Sequence, residues 1–117
     1  MANYCFVAPI LPGGVEKMKT WTRDDIMNNA NHDRVFKAAG ITREQVWLQN
    51  TPMGEFAVVS FEVDDAHHAF KSLASSTDPW AARFRSFLKE AHGFDLAQLG
   101  APNEQLIDWC VEERVLG

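Results

Sequence analysis

Residues Glu55 to Val63, Glu-Phe-Ala-Val-Val-Ser-Phe-Glu-Val, read as a strand that is apolar on nearly all of both faces. Ala57, Val59, Phe61 and Val63 point one way, and Phe56, Val58 and Ser60 the other. A strand with one solvated face alternates apolar with polar residues, so this one needs two covers. Helices of the same chain can supply one. In 117 residues, a second subunit is the economical source of the other. The two faces also differ, because Phe56-Val58-Ser60-Glu62 turns polar toward its end. The wholly apolar face should therefore lie under the chain's own helices, with a small-molecule pocket on that side. The second face should meet a partner sheet.

A chain of 117 residues is enough for one domain with a real core and too few for two, so residues 1–117 are expected to fold as a single unit. Apolar residues make up 46% and charged residues 23%, ordinary for a folded soluble domain. The net charge of −5, without any basic run, argues against nucleic acid as a partner. No stretch approaches the ~20 apolar residues of a membrane span, and no basic segment leads into a secretory apolar run. Cys5 and Cys110 form no CxxC pair and offer no zinc spacing, so neither a metal nor another cofactor is expected. A reducing cytoplasm is the expected compartment, with two buried, inert thiols.

Asn3 to Ile10 reads as a first strand, with Tyr4, Phe6 and Ala8 opposite Cys5 and Val7. Val15 to Ala39 has a helical pattern, with Val15, Met18, Trp21, Met27, Ala30, Val35, Phe36 and Ala39 as candidate buried positions. The Asn28-Asn29-Ala30-Asn31 cluster should break or bend it, because Asn competes with the helix for backbone hydrogen bonds. Gln45 to Asn50 is a second strand, and Thr51-Pro52-Met53-Gly54 predicts a tight antiparallel return. Asp64 or Asp65 can cap a helix with an Ala66, Ala69, Phe70, Leu73 stripe. Asp78-Pro79 opens another, where Trp80, Phe84, Phe87, Leu88 and Ala91 precede a closing Gly93. Gln105 to Val111 alternates as a last strand, with a helix from Asn103 as the competing reading. The order β-α-β-β-α-β is the ferredoxin-like α+β arrangement, an antiparallel sheet with helices on one face.

Several strings in this order resemble those of a small bacterial family of unassigned function within the dimeric α+β barrel superfamily. They are Thr42-Arg43-Glu44-Gln45-Val46-Trp47-Leu48-Gln49, Thr51-Pro52 with Gly54, Asp78-Pro79-Trp80, His92-Gly93-Phe94-Asp95-Leu96 and Ile107-Asp108-Trp109. The resemblance implies a homodimer in which two sheets face each other. That superfamily includes cofactor-independent monooxygenases, haem-degrading enzymes, muconolactone-isomerase-like proteins and stress-responsive proteins, so the fold alone does not choose a chemistry.

Candidate ligand-binding residues are Trp47 and Trp80, as walls of an aromatic pocket between sheet and helices, with Arg83 at its mouth to hold a carboxylate. Packing of the helix–sheet layer is the plainer use of such rings, and a surface ion pair the commoner use of such an arginine. His67 lies near the edge of its helix's apolar stripe and His68 nearly opposite; both read first as solvated surface residues, with the functional alternative kept for His67. His32, in the Asn-rich stretch, also reads as solvated. His92 sits at a helix C-terminus, where a charged imidazole interacts well with the dipole; as a haem ligand it would need a facing apolar pocket. Asp108, at mid-strand, would need a partner or a raised pKa if buried.

The expected function is that of a homodimeric α+β barrel protein taking a small apolar or aromatic ligand between sheet and helices. The enzymatic alternative is a monooxygenase-like or isomerase-like catalyst using His67, Arg83 or Asp108. A haem-binding protein with His92 or His67 as ligand is a third.

Overall fold

The computed structural model describes residues 2–98 and 103–111. Strand β1 (Ala2–Pro9) leads through Gly13 into helix α1 (Gly14–Trp21), which runs on into a π-helical turn (Thr22–Ile26). Helix α2 (Ala30–Ala38), strand β2 (Ile41–Thr51) and strand β3 (Gly54–Val63) follow. Helices α3 (Ala66–Ser75) and α4 (Pro79–His92) and a 3-10 turn (Leu96–Gln98) complete the order. The sheet is antiparallel in the order β1-β3-β2, so the strand apolar on both faces is the central one.

Local chemistry sets these boundaries. The predicted break falls at Asn28, which adopts φ 53, and Asn29, whose side chain accepts from the Asn31 and His32 amides as the N-cap of α2. Asp65 caps α3 by accepting from His68 N, and Asp78 caps α4 by accepting from Trp80 N. Gly93 closes α4 with φ 78, a left-handed conformation that glycine adopts without cost. Met27 and Ala30, expected in the core, are exposed instead, because the break turns them outward.

Helices cover one side of the sheet. Ala57, Val59, Phe61 and Val63 of β3 are all buried there, as the wholly apolar face requires. Above them, rings pack edge to face and in stacks: Trp80 lies 5.5 Å from Trp21, 5.4 Å from Phe84 and 5.8 Å from Phe36 between centroids. Trp80 Nε1 donates to Asp25 O at 3.1 Å. Asp25 also pairs with Arg83, and Arg34 with Asp78 at 2.6 Å, tying the π-turn and α2 to α4.

The fourth strand expected at Gln105–Val111 is not formed: residues 103–110 have neither strand nor helix, and Leu106, Ile107, Trp109 and Val111 are exposed. This segment is apolar on both faces, and among the described residues nothing covers either. The outer edge of β1 therefore has no partner strand among the described residues. What the fold shows is a mixed α+β arrangement with an open three-stranded sheet, rather than the complete βαββαβ order. Cys5 and Cys110 are free but exposed, not buried; Cys5 projects from the uncovered sheet face, its thiol 3.6 Å from Ser60 Oγ.

Helix α1 meets α4 at Gly14. A Cβ at this position would fall 2.8 Å from Ala91 O and 2.7 Å from Ile10 Cγ2, and the Ala91 carbonyl is fixed by accepting from Leu11 N at 2.9 Å. Gly14→Ala should lower stability by about 1–3 kcal/mol through overpacking, read from urea denaturation midpoints.

Candidate functional site

Strand register decides which side chains can meet a ligand. Paired residues share a face, so Tyr4-Phe61-Glu44, Phe6-Val59-Val46 and Ala8-Ala57-Leu48 make three rows under the helices. The β1 and β3 members are covered. On β2 the cover stops short, leaving Val46 45% and Leu48 46% exposed although they point to the helix side. Between them and α1 with its π-turn runs a groove of about 460 Å³, walled by Met18, Ile26, Val46 and Leu48 and rimmed by Lys19 and Arg23. The π-turn builds one wall: its wider winding is recorded by the Met27 N to Thr22 O bond of 2.9 Å. Such turns recur at functional sites.

Beyond Val46 the groove continues into a chamber of about 60 Å³ between sheet and helices; Thr22, Ile26, Glu44 and Val46 line both. The inner walls are rings: Phe6, Trp21, Phe84, Phe87 and Phe94. An apolar cavity that holds benzene measures ~150 Å³. A ring ligand must therefore lie mainly in the groove and send only an edge inward.

Two titratable side chains, His92 and Glu44, line the chamber. His92 lines the chamber at its Pro9 end and is 6% exposed. Its Nδ1 is 2.8 Å from Pro9 O. A carbonyl only accepts, so Nδ1 carries the proton and Nε2 holds a lone pair. Among the described residues the fully buried side-chain atom without a partner is Trp21 Nε1, in the wall of the same chamber. Phe94 stacks at 5.7 Å and Phe87 stands edge-on at 5.9 Å. Burial pushes this imidazole below its ordinary pKa, against the opposing pull of the Pro9 bond. The helix dipole is therefore not the reason for His92: it sits in the core as a neutral ring.

Glu44 lies at the other end, on the Tyr4-Phe61 row. It accepts from His32 Nε2 at 2.9 Å, while His32 Nδ1 donates to Asp33 at 2.9 Å. Both ring nitrogens face carboxylates, which requires the doubly protonated imidazolium. Burial opposes that charge, but the bonds to Glu44 and Asp33 outweigh it and raise the pKa. Far from being solvated, His32 is wedged beside Phe36 and Trp80.

The five residues singled out from sequence are not brought together. Trp47 pairs with Val58 and stands half-exposed on the opposite sheet face, away from the groove. Trp80 is buried in the aromatic core. Arg83 lies on the outer side of α4, paired with Asp25 and with its guanidinium 5.7 Å from the Trp21 ring centroid. His67 is exposed in the first turn of α3, and Asp108 is exposed in the tail. His92, four positions after Leu88, extends the buried stripe of α4 and lines the chamber. Among the described residues no cluster of three His, Cys, Asp or Glu could hold a metal ion, and no helix is long and apolar enough to cross a membrane.

No family model, curated protein or solved structure matches the chain.

His32 and His92 should give stability opposite pH slopes. The raised pKa of His32 contributes stability that is complete below its unfolded value near 6.5 and is lost as pH rises through the folded value. The melting-temperature advantage of the native chain over His32→Gln should thus be largest near pH 5.5 and shrink by pH 9. The lowered pKa of His92 acts in the reverse sense: its contribution holds above ~6.5 and is lost as pH falls through the folded value.

Proposed function

We propose that this protein binds a small apolar or aromatic ligand between its sheet and helices, as a homodimer closed through the uncovered sheet face. The observation that carries the ligand reading is the groove itself. Val46 and Leu48 are turned toward the helices and yet left half in solvent, beside a ring-lined chamber that nothing fills from the protein side. At about 460 Å³ the groove falls within the range of ~300–1,000 Å³ of small-molecule sites. The ligand would lie flat along β2 with one edge under the Phe6-Val59 row.

The dimer reading rests on the other face. Val7, Val58 and Trp47 form one cross-strand row there, with Val7 61% and Trp47 50% exposed. Leu106, Ile107 and Trp109 of the tail are exposed as well. An exposed apolar row on a monomer is costly, and a second sheet covers it with matched geometry. That pairing would complete a dimeric α+β barrel of the kind the sequence resembles. Unbridged, exposed cysteines suit a reducing, cytoplasmic setting. Catalysis by His67, Arg83 or Asp108 has less support, because none of them lines the chamber.

Fluorescence of N-phenyl-1-naphthylamine should rise on titration into the protein, and Val46→Glu should weaken the effect at least tenfold by placing a charge in the apolar wall. An unchanged titration in Val46→Glu would remove the groove from consideration. Sedimentation at micromolar concentration should give a dimer for the native chain and a monomer for Val58→Arg. A native monomer would remove the dimer.

A further inference from the structure

The chamber contains a feature that an apolar ligand alone does not use. His92 is almost fully buried and is fixed in one tautomer by Pro9 O, which leaves Nε2 as a lone-pair acceptor. Among the described residues the fully buried side-chain atom without a partner is Trp21 Nε1, not His92 Nε2, so Nε2 keeps access to the chamber and a ligand that donates to it takes the place of water there. We propose that His92 Nε2 is the hydrogen-bond acceptor that selects hydroxylated aromatic ligands, with the hydroxyl on the edge that enters the chamber. This rests on the groove being the ligand site and assigns the ligand's chemical class.

Each part of that class follows from the surroundings. The walls are aromatic, with Phe87 edge-on and Phe94 stacked against the imidazole, so a flat ring continues the packing already there. The leading edge must be small, because the chamber has only about 60 Å³. It must donate, because Nδ1 holds the proton and Nε2 can only accept. It must also be neutral. A carboxylate has lost its donor at pH 7 and would bring a charge among rings, and an ammonium group would have to shed its water there. A phenolic hydroxyl, with a pKa near ~10, stays protonated and neutral while remaining a strong donor. Glu44 does not compete for this role: it accepts from His32 and lies at the opposite end of the chamber. A His92 held neutral by burial keeps its acceptor through the physiological range.

The test compares 1-naphthol with 1-methylnaphthalene, which replaces the hydroxyl by a methyl group of similar size, by displacement of N-phenyl-1-naphthylamine. The variant is His92→Asn, whose side-chain amide can still donate to Pro9 O but offers no acceptor at the Nε2 position. The native protein should prefer 1-naphthol, and His92→Asn should lose roughly tenfold of that preference, about one buried hydrogen bond. If both compounds bind and the preference is the same in His92→Asn, the assignment of His92 is wrong while the groove stands. If neither displaces the probe from the native protein, both fall. Should His92→Asn not fold, the imidazole nitrogen-15 resonances of the native protein decide. The Nε2 signal should move upfield with 1-naphthol and stay fixed with 1-methylnaphthalene. Absence of a shift with 1-naphthol overturns the proposal.

Discussion

Everything in this structure leans on the burial of one face of β3 beneath α1, α2, α3 and α4. Along Ala57, Val59, Phe61 and Val63 the side chains grow to Phe61, and the aromatic layer packs above it. Phe61 meets Phe36, Phe70 and Phe6 within 6.0 Å between centroids. Each buried ring or branched side chain contributes on the order of 1.5–3 kcal/mol from apolar burial alone, far above any exposed ion pair. Because β3 is central, this face fixes both neighbours: β1 and β2 inherit their inward residues from its register.

The groove follows from the same constraint. The helical layer is centred on β3 and β1, so the far half of β2 extends past its edge. A π-turn at the end of α1, where Asp25 is held by Trp80 and Arg83, sets the width of the opening. Closing it would need a longer helix over Val46 and Leu48, and the Asn28-Asn29 break prevents that. The close approach of Gly14 to the Ala91 carbonyl draws α1 onto α4 immediately next to His92. Chamber and groove are thus consequences of how far the helices reach, and His92 is the one neutral imidazole placed inside.

Much of the fold was legible because caps and turns carry local signals. Asp65, Asp78 and Gly93 act where their chemistry predicts, and Asn28-Asn29 breaks the long helical pattern. The covered face of β3 was legible for the same reason, since it is the wholly apolar one. Faces of β2 were not. Val46-Trp47-Leu48 is apolar on both sides, so periodicity cannot tell which side is covered; register with Val58 puts Trp47 outside. Histidine environments were misjudged because charge partners came from distant elements: Glu44 reaches His32 across twelve positions, and Pro9 reaches His92 across eighty-three. The tail was read as a strand from alternation alone, but alternation yields a strand only where a neighbour and a cover exist.

The most direct measurement is a methyl and tryptophan side-chain chemical-shift titration of the isotope-labelled native protein with 1-naphthol. Binding between sheet and helices requires the largest changes at Val46, Leu48, Met18 and Ile26, with Val58, Val7 and the Trp47 indole unmoved. Changes centred on Trp47, Val58 and Val7, with Val46 and Leu48 silent, would place the ligand on the opposite side of the sheet and contradict the site described.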